Sequence, residues 1–551
     1  MNDNKAGVHS QTAAMMPMTV SEIVEAVGGK MVSGSPQLRS GSTVVTSTVS
    51  DSRQIERGAV FVAIAGDRVD GHDFVSHAGS LGAVAALVDH AVDETDDIVQ
   101  IVVDDTVEAL GRLAHHNIAR RRQLGTDFSV IGITGSVGKT TTKDLLYALM
   151  SSMGETVAPV GSFNNEIGLP LTALKVGEHT RFLIAEMGAN HVGEIAGLTS
   201  IVPPDLSVVL KVGVAHLGEF GSVDRIAQAK SEIVQGLVPG GVAVLNANDK
   251  HVAAMSAMAP GDVRWFGLDE DGSDISMMSA RDVTVDAWGR PSFILDAFGE
   301  EQTTVHLGIG GAHNVINALA AASVASYFGM AIADIAFELG RIQRISPHRM
   351  AVSSVDLGDG SASFTLIDDS FNANPDSMKA GLNGLARWEK TDVSAVPISE
   401  RDGKDVSEPY RIAVLGAMLE LGGDELELHR QIGAYAASLG LNEIIAVGNK
   451  ADNHFDQLAS AVAQGAREQI NDIDTPSNIF EDADGDIRRT PIMVQWVHGA
   501  DEAERLVADA ARRHEDTVVL LKGSHLSGLS ALADRWSCVP SQQHIEVEPE
   551  H

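Results

Sequence analysis

The residues best suited to chemistry stand close together in Thr134, Gly135, Ser136, Val137, Gly138, Lys139, Thr140 and Thr141. Gly135 and Gly138 let the backbone turn its N–H groups toward a phosphate, Lys139 adds a point charge, and Thr140 or Thr141 offers a hydroxyl to Mg²⁺. The usual phosphate-loop pattern has four residues between its first glycine and the Gly-Lys-Thr. Here Gly132 and Gly138 are separated by five, so the loop is a variant. Its natural occupant is a nucleoside triphosphate, and the loop says phosphate without saying which reaction.

Other candidates follow in chain order. Glu186 lies in Glu-Met-Gly-Ala-Asn190 and His216 in Ala-His-Leu217, each at or beyond the carboxyl end of an apolar run. Lys230 falls on the apolar stripe marked by Ile226, Ile233 and Leu237. One reading is a side chain that snorkels outward. The other is an amine whose pKa burial lowers, available for modification or for work near phosphate. Asn314 and Asn317 are three apart on an Ala-rich helix and share a face. A side-chain amide matches the donor–acceptor edge of adenine, whereas helix capping is the alternative for Asn314.

The elements that must hold these groups are short strands alternating with helices. Residues 128–133 are an apolar, β-branched run, and Leu145, Leu146, Leu149 and Met150 then recur at helical spacing: strand, tight loop, helix. From 126 to 345 the alternation continues through 182–186, 206–212 and 242–246, which predicts a parallel sheet with helices on both faces. Ligands bind beyond the carboxyl ends of such strands. An N-terminal α/β unit is expected over 18–125, with polar clusters at Asp51-Ser52-Arg53 and 66–73 that serve a site or merely turn the chain.

A second parallel unit is expected over 346–551, after a connector at 346–350. Its strands 364–369, 411–415 and 517–521 run into polar loops. These are turns, or else one crevice presenting Asn372, Asn374, Lys522 and Ser524. Residues 389–409 and 467–490 read as surface insertions, and 1–17 as a disordered tail.

Composition sets the outer limits. A chain of 551 residues is too long for one core, and a net charge of −35 argues against nucleic-acid and anionic membrane surfaces. The single Cys538 allows no internal disulfide, which fits a reducing cytoplasm, and no apolar run is long enough to span a bilayer. The expectation is a cytoplasmic monomer without integral membrane association.

Taken in order, the motifs resemble the Mur ligases of peptidoglycan synthesis from about residue 20 to 530. The resemblance rests on Asp-Ser-Arg53, Gly-His-Asp-Phe74, Thr-Gly-Ser-Val-Gly-Lys-Thr-Thr141, Phe163-Asn-Asn-Glu-Ile-Gly-Leu-Pro-Leu-Thr172 and Glu-Met-Gly-Ala-Asn190. It is carried on by Ala-His-Leu217, Ala-Lys-Ser-Glu-Ile233, His-Asn-Val-Ile-Asn317, Asp-Asp-Ser-Phe-Asn-Ala-Asn-Pro375 and Lys-Gly-Ser524. It implies three domains: one for the UDP end of a sugar nucleotide, a central ATPase, and a Rossmann-like C-terminal domain that brings the amino substrate. Asp51, Ser52 and Arg53 then resemble part of the UDP-sugar site, and Asn164 and Asn165 substrate contacts. Glu186 and His216 resemble Mg²⁺ ligands, Lys230 the lysine that relatives carbamylate, Asn314 and Asn317 adenine contacts, and Arg349 and Asp369 neighbours of the ribose and phosphates.

Gly-Ser-Val-Gly-Lys and Asn-Ala-Asn-Pro favour the last ligase of the series, whose substrates are ATP, UDP-N-acetylmuramoyl-tripeptide and D-alanyl-D-alanine. The chain departs from the family's pattern at Phe371, where Tyr is common, and at Ala417, where an acidic residue is frequent. A relative working on another substrate, such as a folylpolyglutamate synthase, fits less well because of the Asp-Ser-Arg domain. A nucleotide switch would need neither the Glu186/His216 pair nor an inward Lys230.

Overall fold

The computed structural model describes residues 14–537, apart from 33, 36–37, 39–40, 67–68, 94–96, 214–216, 270–275, 287–288, 300, 344, 359–361, 389–407, 472–478, 482–486 and 490–491. Three sheets follow one another along the chain, together with two small two-stranded ones. The first runs in the order Lys30–Met31, Val99–Val102, Ala85–Val88, Ala59–Val62, Ser47–Val49 and is parallel except for its first strand. The 18-residue helix Thr106–Gln123, capped by Asp105, leads out of it and packs against Gly168–Ala173 and Glu194–Ile201 of the next unit.

Nine strands make the central sheet, in the order Thr156–Val157, Phe182–Glu186, Ser129–Thr134, Leu206–Val209, Val242–Asn246, Val263–Leu268, Met277–Val285, Pro291–Ala297, Glu301–His306. The first seven are parallel, as the alternation of strands and helices predicts, and the last two add an antiparallel extension. Lys139–Ser151 and Asn314–Tyr327 cover one face. Leu145, Leu146, Leu149 and Met150 point into that layer with no exposure, each burial favouring the fold by about 2 kcal/mol before entropy is counted. On the other face, Val223–Gln235 and Glu194–Ile201 pack into a core continuous with that of the first sheet.

The C-terminal sheet has the order Ala351–Asp356, Ser363–Asp369, Thr517–Lys522, Tyr410–Leu415, Glu443–Val447, Met493–Val497, parallel but for its first strand. Asp369, Lys522 and Leu415 are in register on adjacent strands, so the three polar loops predicted after them leave from one edge. Asn374 starts the helix Pro375–Ala386 with a reciprocal capping box to Ser377 and a proline in the first turn.

Some expectations are corrected. The tail expected to reach residue 17 ends sooner: Met15 and Met16 are buried, Met15 N–H donates to Thr46 O, and Met16 N–H to Asn117 Oδ1. Their apolar side chains fill the first core. The insertion expected at 467–490 is partly regular, since helix Asn453–Asn471 runs into it and Ile479–Glu481 pairs with Ile487–Arg489. Of the insertion at 389–409, residues 389–407 lie outside the described residues.

Candidate active site

A cleft of about 1870 Å³ opens where the carboxyl edge of the central sheet faces the corresponding edge of the C-terminal sheet. The phosphate loop forms one wall. Gly138 has φ 86° and starts the helix Lys139–Ser151 with no side-chain cap, leaving its first N–H groups to a ligand. Ser136 is fixed on both sides: its N–H donates to Lys211 O at 2.8 Å, and its Oγ accepts from Gly213 N–H at 2.9 Å. Ser136 through Thr141 line the cleft, whereas Thr134 sits behind it and donates to Met187 O. Lys139 Nζ donates to Gly135 O at 2.8 Å, and burial holds its pKa below the usual lysine value, with Glu186 opposing that effect.

Glu186 ends its strand almost fully buried. Its Oε1 accepts from Thr140 Oγ1 at 3.3 Å and from Asn164 Nδ2 at 3.0 Å, while its Oε2 has no partner. A buried acceptor left unpaired costs about 1–3 kcal/mol unless something occupies it. Lys230 lines the same cleft with 3% exposure and makes no hydrogen bond or ion pair with the described residues. Burial, with Lys139 adding repulsion, brings its pKa down to about 7. The inward reading of Lys230 therefore holds over the snorkelling one. The orphaned carboxylate oxygen of Glu186 and the Thr140 hydroxyl are hard oxygen donors, and they fit a divalent cation. His216 lies outside the described residues, so its expected place among the metal ligands is untouched by these contacts.

Asn314 and Asn317 stand on the adjacent helix in one chain: Asn314 Nδ2 donates to Gly310 O at 2.6 Å, Asn317 Nδ2 to Asn314 Oδ1 at 2.8 Å, and Thr142 Oγ1 to Asn317 Oδ1 at 3.3 Å. Asn314 does not cap its helix; His313 holds that position without a side-chain cap. Asn165 lines the cleft and accepts Gly168 N–H.

From the C-terminal unit come Arg349, Asp369, Asn372, Asn374 and Lys522. Lys522 Nζ is 2.5 Å from Asp369 Oδ2 and also donates to Asn372 O, while the Arg349 guanidinium lies 4.4 Å above the Phe371 ring. Ser524 is buried with an unpartnered Oγ but does not line the cleft. Nor do Asp51, Ser52 and Arg53, which form a local ion pair and turn on the first sheet's own carboxyl edge.

Lys211, His313 and Asp249 are among the cleft residues that were not singled out from the sequence. Lys211 was read as strand interior, yet the strand ends at Val209 and Lys211 lies past it, 3.9 Å from Asp376 of the C-terminal unit. His313 and Asp249 also line the cleft, each directly ahead of a helix at a strand-to-helix turn, which is the signal that would have found them.

Comparison with known proteins agrees along most of the chain. Residues 45–117 match the Mur ligase family catalytic domain, 133–325 the Mur ligase middle domain, and 348–525 the Mur ligase glutamate ligase domain. A UDP-N-acetylmuramoyl-tripeptide–D-alanyl-D-alanine ligase of Mycobacterium bovis is 39% identical over 544 residues, covering 94% of this chain and 98% of the relative. The ligase of the same name from Escherichia coli is 32% identical over 455 residues, covering 82% and 90%. Among solved structures, MurF from Acinetobacter baumannii superposes with a TM-score of 0.74 at 28% identity, covering 95% of this chain and 99% of that one. MurF ligase from Thermotoga maritima in complex with ADP gives 0.66 at 26% identity, covering 90% and 97%. With three consecutive domain matches and relatives aligned nearly end to end, this chain belongs to the Mur ligase family.

Proposed function

We propose that the chain is an ATP-dependent ligase that joins the terminal carboxylate of UDP-N-acetylmuramoyl-tripeptide to the amine of D-alanyl-D-alanine, giving the pentapeptide precursor of peptidoglycan. The observation that carries this reading is the cleft in which the phosphate loop, Glu186, Lys230 and the C-terminal strand-end loops converge. The three sheets act as three domains, bounded near residues 125 and 345, with the first beginning by residue 14.

A carboxylate is a poor electrophile at neutral pH and must be activated. One of its oxygens attacks the γ-phosphorus of ATP, the bond to the β-phosphate oxygen breaks, and ADP departs, leaving an acyl phosphate. The dipeptide amine then attacks the acyl carbon, loses a proton and expels inorganic phosphate. Lys139 leaves Gly135 O to meet the phosphates, and the N–H groups after Gly138 hold the transferred group in line. Thr140 and Glu186 would hold Mg²⁺, with His216 expected beside them, and the ion supplies charge neutralisation on the phosphates. Lys230, neutral in good part near pH 7, can add carbon dioxide through its nitrogen and release a proton, giving a carbamate that presents a carboxylate. Asn314 and Asn317 face the base, Arg349 and Asp369 the ribose and phosphates, and Asn164 and Asn165 the carboxyl substrate. Asn372, Asn374 and Lys522 serve the amino substrate, with Ser524 behind Lys522 in the same loop, and Asp51, Ser52 and Arg53 serve the uridine end.

ATP and a UDP-linked peptide as substrates place the reaction in the cytoplasm, and no helix among the described residues is long and apolar enough to cross a membrane. The enzyme acts as a monomer. Phosphate release from ATP with the UDP-linked tripeptide, with and without D-alanyl-D-alanine, tests the reading. Release that needs the dipeptide and yields the pentapeptide supports it, and release indifferent to the dipeptide refutes it.

A further inference from the structure

Lys143 and Asp144 follow the phosphate loop on the same helix, and neither lines the cleft. Lys143 is 3% exposed, which a charged amine tolerates only with partners. It has four. Its Nζ lies 2.7 Å from Asp144 Oδ1 and donates to Pro159 O at 3.1 Å, Gly161 O at 3.2 Å and Ser346 Oγ at 3.4 Å. Asp144 turns its other oxygen to Ser346 N–H, at 2.8 Å.

Both segments held in this way lead into the cleft. Residues 159–161 run directly into Ser162, Asn164 and Asn165 on its wall, and Asn164 reaches Glu186. Ser346 opens the connector to the C-terminal unit, where His348 and Met350 adopt φ 61° and 50° and Arg349 stacks on Phe371. Left-handed backbone is unfavourable for both of those side chains, so the connector keeps its shape only while its surroundings hold it. One ion pair, with Lys143 buried and Asp144 half-buried, lies a turn beyond the nucleotide-binding residues and thus fastens the phosphate-loop helix to the carboxyl-substrate loop and to the interdomain connector.

We infer that Lys143 and Asp144 are positioning residues that couple nucleotide occupancy of the phosphate loop to the substrate loop and the connector, so that nucleotide and UDP-linked peptide bind cooperatively. The helix is the rigid part: a phosphate that draws Lys139 and the loop N–H groups forward moves the next turn with them. The pair passes that displacement to both segments. This rests on the substrate assignment proposed above.

The test is calorimetric titration of UDP-N-acetylmuramoyl-tripeptide into the full chain, with and without a non-hydrolysable ATP analogue. In the unaltered protein the analogue should raise tripeptide affinity at least about fivefold, within the usual range of coupling between sites. In Lys143→Met and Asp144→Asn that ratio should fall to near one, while each ligand alone binds almost as before. Ser346→Ala, which removes a single hydroxyl and keeps the fold, should give an intermediate ratio and carries the test if the buried variants fail to fold. An unchanged ratio in the variants, or no coupling in the unaltered protein, overturns the inference. An unaltered protein that binds the analogue but not the tripeptide overturns the proposed substrate itself, and the inference with it.

Discussion

Asn317 closes over Gly138 so tightly that a Cβ added to the glycine would fall 2.3 Å from Asn317 Oδ1. The turn needs glycine for a second reason, its φ of 86°. Gly138→Ala therefore strains the backbone by about 1–2 kcal/mol and displaces Asn317 as well. ATP affinity should fall by at least about tenfold. Gly125→Ala is the control, because Gly125 has φ 66° and open space around it. It should lower stability by a similar strain and leave nucleotide binding unchanged.

Lys230→Met should abolish ligation and stabilise the fold. Its pKa of about 7 lies below the ordinary 10.5, so the buried amine stays neutral where the unfolded chain's amine is charged. Between those two values the unfolded state binds the extra proton, and stability is lost as the pH falls. Below about 7 both states are charged and the loss is constant, on the order of 5 kcal/mol. The variant's advantage in urea unfolding should thus be large near pH 7 and shrink toward pH 10. An advantage that does not vary with pH would mean that the amine is stabilised by an unrecognised partner.

Asn317→Ala leaves Thr142 Oγ1 and Asn314 Oδ1 without a partner each supplied by this residue. Stability should drop by about 1–3 kcal/mol. If the amide helps choose the base, the preference for ATP over GTP should also narrow by about tenfold. Competitive binding of the two nucleotides separates the effects, since a purely structural role would weaken both equally.

Gly422 of the C-terminal unit meets Gly218 of the central unit backbone to backbone, and a Cβ on Gly422 would lie 1.8 Å from Gly218 Cα. Gly422→Ala should hold the loop 416–423 away from the cleft, lowering kcat by at least about tenfold while ATP still binds. A normal kcat would show that this approach is not needed for turnover.

The phosphate-loop unit was legible because local rules agree there: β-branched strand, glycines, then a helical apolar stripe. Lys230 was legible as an inward residue for the same reason, its place on the stripe. Lys143 was not. It reads as one more polar residue in Thr-Thr-Thr-Lys-Asp144, and the acceptors that bury it come from residues 159, 161 and 346, distances no local pattern carries. The antiparallel strand Pro291–Ala297 does alternate between buried and half-buried positions, but a chain read as strict strand–helix alternation leaves no room for it. Met15 and Met16 were missed because their burial depends on Asn117, a hundred residues away, accepting the backbone of the segment.

The meeting of the central and C-terminal units at Gly218–Gly422 has a further consequence. Two glycines contribute almost no side-chain area there, and the Lys211–Asp376 pair, which also joins these two units, is partly exposed and 3.9 Å apart. Closure around such a joint draws its strength from whatever fills the cleft. The enzyme's resistance to heat or protease should then report its cargo: weakest when empty, and strongest with nucleotide and peptide together, as mass action requires of ligands that bind only the closed form.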